Sequence, residues 1–178
     1  MIYLINLCFL VMTNSLILFN FSESSDLTGW TVVNDDVMGG RSSGSISVNS
    51  EANGVFEGFV SLENNGGFSL VRLQLGNTNV EGFEKVAIRL KGDGKRFQFR
   101  IKRTDSDYFS YVAYFQTTGE WQVIEIPLRE MYPAFRGRRL NEPNFPGDSI
   151  SEIAFLIGNQ KNEAFKLELD QVCLRKID

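Results

Sequence analysis

Asp35 and Asp36 stand side by side in VNDDVMGGRSSG (residues 33–44), ahead of Gly39, Gly40, Arg41 and two serines. Paired acids, paired glycines and a cation raise four chemistries: an acid–base dyad, a phosphate cradle, a calcium loop, or a turn that shapes a binding surface. A dyad needs both carboxylates aimed at one substrate, whereas neighbours on an extended chain point to opposite sides. A phosphate-binding P-loop needs a lysine after its glycines and a strand–loop–helix setting, and this stretch has neither. The alternating oxygen ligands of an EF-hand are missing too. The expectation is therefore conformational. Gly39 and Gly40 allow a backbone path closed to other residues, Asp and Ser side chains bond nearby amides, and Arg41 pairs with one of the two acids.

The remaining inventory points away from catalysis. The chain has 178 residues and no histidine, which excludes Ser-His-Asp and Cys-His nucleophiles, zinc helices and facial iron triads. Cys8 and Cys173 lie near opposite ends without metal-ligand spacing and read as reduced structural thiols. No enzyme activity and no cofactor are expected. One metal idea stays open: a structural calcium, with Asp26 and Asp170 as the acids placed near the first and last strands. Their alternative is plain turn and surface duty. A net charge of −4 argues against general nucleic-acid binding.

The elements that must position these residues are strands. Fifteen Phe and 16 Gly against 4 Pro, with period-two alternation between turn signals, predict strands at 15–21, 44–48, 55–63, 68–75, 84–91, 96–103, 108–116, 121–126, 153–158 and 165–174. About ten strands in one domain read as an all-β, antiparallel β-sandwich of jelly-roll type. Residues 1–12 form an apolar extension with no Lys or Arg, and 13–178 the domain. Met12 is read as the natural start, with 15–21 as the first buried strand. The extension lacks the positive start and cleavage site of a secretory signal, so a cytoplasmic setting is expected, with membrane contact left open. The long irregular segment 129–149 is expected to be functional or to close one end of the fold.

Residues 84–116 carry eight Lys/Arg against four Asp/Glu. Alternation sends Val86, Ile88, Leu90, Phe97, Phe99, Ile101, Phe109, Tyr111 and Phe115 inward, and Lys85, Arg89, Arg96, Gln98, Arg100, Tyr108 and Tyr114 outward. Short turns joining the three segments predict one meander with a single basic, tyrosine-bearing face. That face is either a solvated, edge-guarding surface or a contact surface for a protein or glycan. For a protein partner the candidate contacts are Asp35, Asp36, Arg41, Asn64, Asn65, Phe68, Arg136 and Arg138. For a glycan, Tyr108 and Tyr114 would stack sugar rings, with Gln98, Gln116 and Arg100 as polar partners.

The stretch WTVVNDDVMGGRSSG (30–44) resembles the signature of the complex I intermediate-associated protein 30 family. The resemblance continues through FEGFVSLENNGGFSLVR (56–72), FRGRRL (135–140) and ISEIAFLIGNQKNEAFKLELDQVCL (150–174), covering the chain from about residue 16 onward. It implies a jelly roll of the galactose-binding type. It also implies a role in holding subunits during assembly of respiratory NADH:ubiquinone oxidoreductase. The carbohydrate-binding relatives of that fold supply the alternative. With no Arg-rich transit peptide, the sequence is most similar to the small single-domain members.

Overall fold

The computed structural model describes residues 15–35 and 39–176. The expected strands form, and three more join them. In chain order they are β1 (Ser15–Asn20), β2 (Trp30–Asn34), β3 (Ser43–Val48), β4 (Gly54–Val60), β5 (Ser69–Asn79) and β6 (Lys85–Gly92). Then follow β7 (Arg96–Lys102), β8 (Ser110–Gln116), β9 (Trp121–Pro127), β10 (Tyr132–Phe135), β11 (Arg138–Arg139), β12 (Ser149–Ile157) and β13 (Glu163–Arg175). One sheet runs β3-β4-β13-β6-β9, with β1 also on β13; the other runs β11-β10-β8-β7-β12-β5-β2. Every pairing is antiparallel. The fold is an all-β sandwich.

The core lies between the two sheets and is built on aromatic rings. Phe56, Phe97, Phe99, Phe145 and Phe155 are fully buried, along with Ile88, Leu90 and Ile101. Phe99 of β7 meets Phe155 of β12 at 5.5 Å between ring centroids. Segment 129–149 closes one end by burying Met131 and Phe145, where the Phe145 amide donates to the Met131 carbonyl. That segment is not irregular throughout, since it supplies β10 and β11. The first strand differs from expectation as well: β1 is a partly exposed edge, with Ile17 56% exposed.

The single meander expected over 84–116 is corrected by the topology. The alternation holds, but β6 pairs with β13 and β9 in one sheet, while β7 and β8 pair in the other. Residues 93–95 cross between the sheets instead of turning back. Thr117 binds this crossing through its amide and hydroxyl, both donated to the Lys95 carbonyl. Behind Thr117 the chain crosses back, and β9 comes to lie beside β6. Lys85 and Arg89 therefore face out from one sheet, and Arg100 and Tyr114 from the other. Lys85 pairs with Glu125 at 2.8 Å and Arg89 with Asp170 at 2.7 Å, so these two β6 cations are neutralised.

Candidate ligand-binding groove

The Asp35 turn is a buried clamp. Asp35 is 0% exposed. Its Oδ1 accepts the Ser42 amide at 3.0 Å. Its Oδ2 accepts the Ser42 hydroxyl at 2.5 Å, the Gly67 amide at 2.6 Å and the Phe68 amide at 3.2 Å. Burial opposes the charged carboxylate, yet these bonds outweigh it and hold the pKa below its ordinary value. Two loops, 39–42 and 66–68, are thus tied to one carboxylate. Gly40 has to be glycine because a Cβ there would sit 2.1 Å from Asp35 Oδ1. Arg41 pairs with Glu63 at 2.9 Å and not with Asp35, which is enclosed by amides. Asp36 lies outside the described residues, as do Cys8 and the extension through residue 14.

The groove lies elsewhere, on the outer face of the seven-stranded sheet. Gln98, Arg100, Val112, Tyr114, Tyr132, Ala134, Gly137 and Arg139 line an open volume of about 250 Å³. Strand register explains why these residues meet. Arg100 pairs across to Val112, which pairs to Tyr132; Gln98 pairs to Tyr114, and Ala134 to Arg139. Paired side chains share a face, so short Val112 and Ala134 lie among long neighbours and leave the hollow. Arg96 sits over the Tyr114 ring and Arg139 over the Tyr132 ring, both at 4.7 Å from the centroid. Burial raises the Tyr132 pKa, so its phenol stays protonated.

The groove is distinguished by its charge. Arg41, Arg72, Arg89, Arg103 and Arg175 each contact a carboxylate, at 2.6–3.3 Å. Among the described residues, Arg96, Arg100, Arg129, Arg136, Arg138 and Arg139 form no such pair. All but Arg129, which lies in the turn 128–130, sit on β7 or in the β10–β11 hairpin, and no acid is among the residues that line the hollow.

The structure separates the residues singled out from sequence. Arg100 and Tyr114 line the groove. Asp35, Arg41, Asn64, Asn65 and Phe68 gather around the β2–β5 edge, four strand spacings, about 19 Å, from β8. Tyr108 precedes β8 and is 63% exposed; it packs edge-on against Phe109 and Phe135, so it does not share a stacking surface with Tyr114. Gln116 donates to the Gly94 carbonyl at 2.7 Å. Arg136 and Arg138 are exposed on the hairpin, but Arg138 pairs with Phe135 and so lies on the opposite face from Arg139. Asp26 accepts the Thr28 amide and hydroxyl, and Asp170 holds Arg89. Among the described residues no three or more Cys, Asp or Glu side chains gather into a metal cage.

Sequence reasoning missed Val112 as groove floor and, in the hairpin, Tyr132, Ala134, Gly137 and Arg139. A signal existed: Arg-Gly at 136–137 is a two-residue turn with both φ positive, +47° and +76°, and such turns make hairpins. Parity on either side of it assigns Tyr132, Ala134 and Arg139 to one face.

Comparison with known proteins agrees with this architecture. The chain matches the family Complex I intermediate-associated protein 30 over residues 19–169. It is 23% identical over 184 residues to mitochondrial complex I intermediate-associated protein 30 of Mus musculus, covering 90% of this chain and 56% of that protein. The chain thus spans little more than half of that relative's length. Among solved structures, a family 11 carbohydrate-binding module from Clostridium thermocellum, in complex with a β-1,3-1,4-mixed-linked tetrasaccharide, matches with a TM-score of 0.65. The two share 17% identity, over 91% of this chain and 95% of that one. An agarase matches with a TM-score of 0.64 and 14% identity, over 92% of this chain and 25% of that one. At such identities the likeness speaks for the sandwich fold. The family match spans most of the domain, and the chain belongs to the complex I intermediate-associated protein 30 family.

Proposed function

We propose that this domain is a non-catalytic binding module that holds partner proteins during assembly of a respiratory or redox complex. Its seat is the groove over β7, β8, β10 and β11. The observation that supports this most is that Arg96, Arg100 and Arg139, none with an acid partner, gather beside Tyr114 and Tyr132, with Arg136 and Arg138 exposed on the adjoining hairpin. Arginine and tyrosine contribute a disproportionate share of the energy in protein interfaces. Family membership supplies the assembly context, and the mouse relative carries that name. The reading requires no cofactor. Its test is affinity purification from the native cell with wild type and an Arg136→Glu/Arg138→Glu/Arg139→Glu variant, whose changes all fall on exposed positions. Respiratory-complex subunits recovered with wild type alone support the proposal; an identical set from both contradicts it.

Carbohydrate binding is the second reading, because Gln98, Tyr114 and Tyr132 share one face of a sandwich like that of carbohydrate-binding modules. Against it, each tyrosine already carries a guanidinium over its ring. Retarded migration in a glucan affinity gel, abolished by Tyr114→Ala, would favour the sugar.

A further inference from the structure

We infer that the group recognised in the groove is a carboxylate on an acidic segment of the partner protein, clamped by Arg100; this rests on the partner-binding reading above. Three observations lead there.

Arg100 is half-buried and, among the described residues, has no ion pair of its own. The short side chains of Ala154 and Val112 stand beside it in register. Burial presses its pKa down, with Tyr114, Glu152 and Tyr132 acting the other way. Glu152 is already held by Arg72 at 3.3 Å and by Gln74 at 2.7 Å. A partly desolvated guanidinium without an ion pair of its own gains when an anion arrives.

The hydrogen bonds around Arg100 also have a fixed polarity. Arg100 Nη1 donates to Gln98 Oε1 at 2.9 Å. Arginine only donates, so the amide oxygen must face it, and Gln98 Nε2 then donates to the Tyr114 phenol oxygen at 3.2 Å. The Tyr114 hydroxyl hydrogen and the remaining Arg100 N–H groups are left for a ligand. Arg139 and Arg96 add further donors around the opening.

This makes the groove rich in donors and poor in acceptors. No carboxylate lines it, and its one side-chain amide oxygen is already engaged. A carboxylate only accepts and matches the planar guanidinium fork. Sugar hydroxyls both donate and accept, and they would leave their own hydrogens without partners here. The shallow, open, cationic form suits an extended acidic stretch of chain, with one Asp or Glu on Arg100 and its neighbours near Arg96 and Arg139.

The test is an NMR titration of the full chain with four probes. These are a capped Glu/Asp/Gly dodecapeptide, its Gln/Asn/Gly counterpart, an oligogalacturonate, and a neutral mixed-linked glucan tetrasaccharide. The expected result is a shift of the Arg100 side-chain N–H and of the 98, 112, 114, 132 and 139 amides with the acidic peptide. Its neutral counterpart should give none. Affinity should fall about tenfold to a hundredfold in Arg100→Met and should weaken with salt. If Arg100→Met loses its cooperative melt, Arg139→Gln at the exposed edge takes its place, with the same direction expected. Binding of the oligogalacturonate or the tetrasaccharide instead, binding of no probe, or unchanged acidic-peptide affinity in the variant overturns the inference. Full partner recovery by a folded Arg100→Met protein removes the carboxylate clamp and leaves the binding reading standing.

Discussion

Replacing Asp35 by asparagine tests how the loops 39–42 and 66–68 are held. The carboxylate accepts four hydrogen bonds, one at Oδ1 and three at Oδ2. Asparagine keeps at most the three at Oδ2, by putting its oxygen there. Its NH₂ then faces the Ser42 amide, and two buried donors are left without an acceptor. At about 1–3 kcal/mol for each, the loss is about 2–6 kcal/mol, or a drop of about 4–24 °C in Tm for a domain of this size. Urea unfolding at pH 7 measures it, with the slope unchanged. The pH dependence follows from the depressed pKa. The folded value lies below the ordinary 3.8 because Ser42, Gly67 and Phe68 bond the carboxylate more strongly than burial disfavours it. The unfolded chain therefore takes up a proton first as the pH falls. The stabilisation is complete above about pH 5 and disappears as the pH drops through 3.8 towards the folded value. The gap between wild type and Asp35→Asn should narrow over that window. A loss below about 1 kcal/mol at pH 7, or a gap that widens in acid, would refute the clamp.

Three other outcomes follow from the same geometry. Arg136 has φ +47°, so Arg136→Asn, a residue at ease in that region, should raise Tm by about 1–4 °C; a lower Tm would contradict the turn assignment. Phe99→Ala empties the middle of the core beside Phe155 and should cost about 3–5 kcal/mol in denaturant unfolding. Arg89→Glu, on the far sheet from the groove, should cost under about 1 kcal/mol and leave partner recovery in the affinity purification unchanged.

How much of this was legible in the sequence differs from feature to feature. Alternation in Phe97, Phe99 and Ile101 named core residues correctly because side-chain parity is local and both sheets of a sandwich obey it. Parity does not say which sheet a strand joins. KGDGK at 91–95 reads as a hairpin turn, yet it crosses between sheets, and what fixes that path is a distant contact with Thr117. The basic face foreseen over 84–116 therefore divided between β6, where Lys85 and Arg89 are paired, and β7, where Arg96 and Arg100 are not. Asp35 was read both as a turn former and as a partner contact; its burial fits the first role and keeps its side chain from the second. Its partners at Gly67 and Phe68, 32 and 33 residues on, could not be named from spacing. Arg139 hid among three arginines until the 136–137 turn gave it a side of the sheet.

The central claim is that the partner seats on the outer face of the seven-stranded sheet, at β7, β8, β10 and β11. Hydrogen exchange of the domain, alone and with its natively captured partner, measures this directly. The account predicts slowed exchange confined to residues 96–102, 110–116 and 132–139, with the β2–β5 edge around Asp35 and the outer face of β6 unchanged. Protection centred on the Asp35 turn or on β6, with the β10–β11 hairpin unaffected, would contradict it.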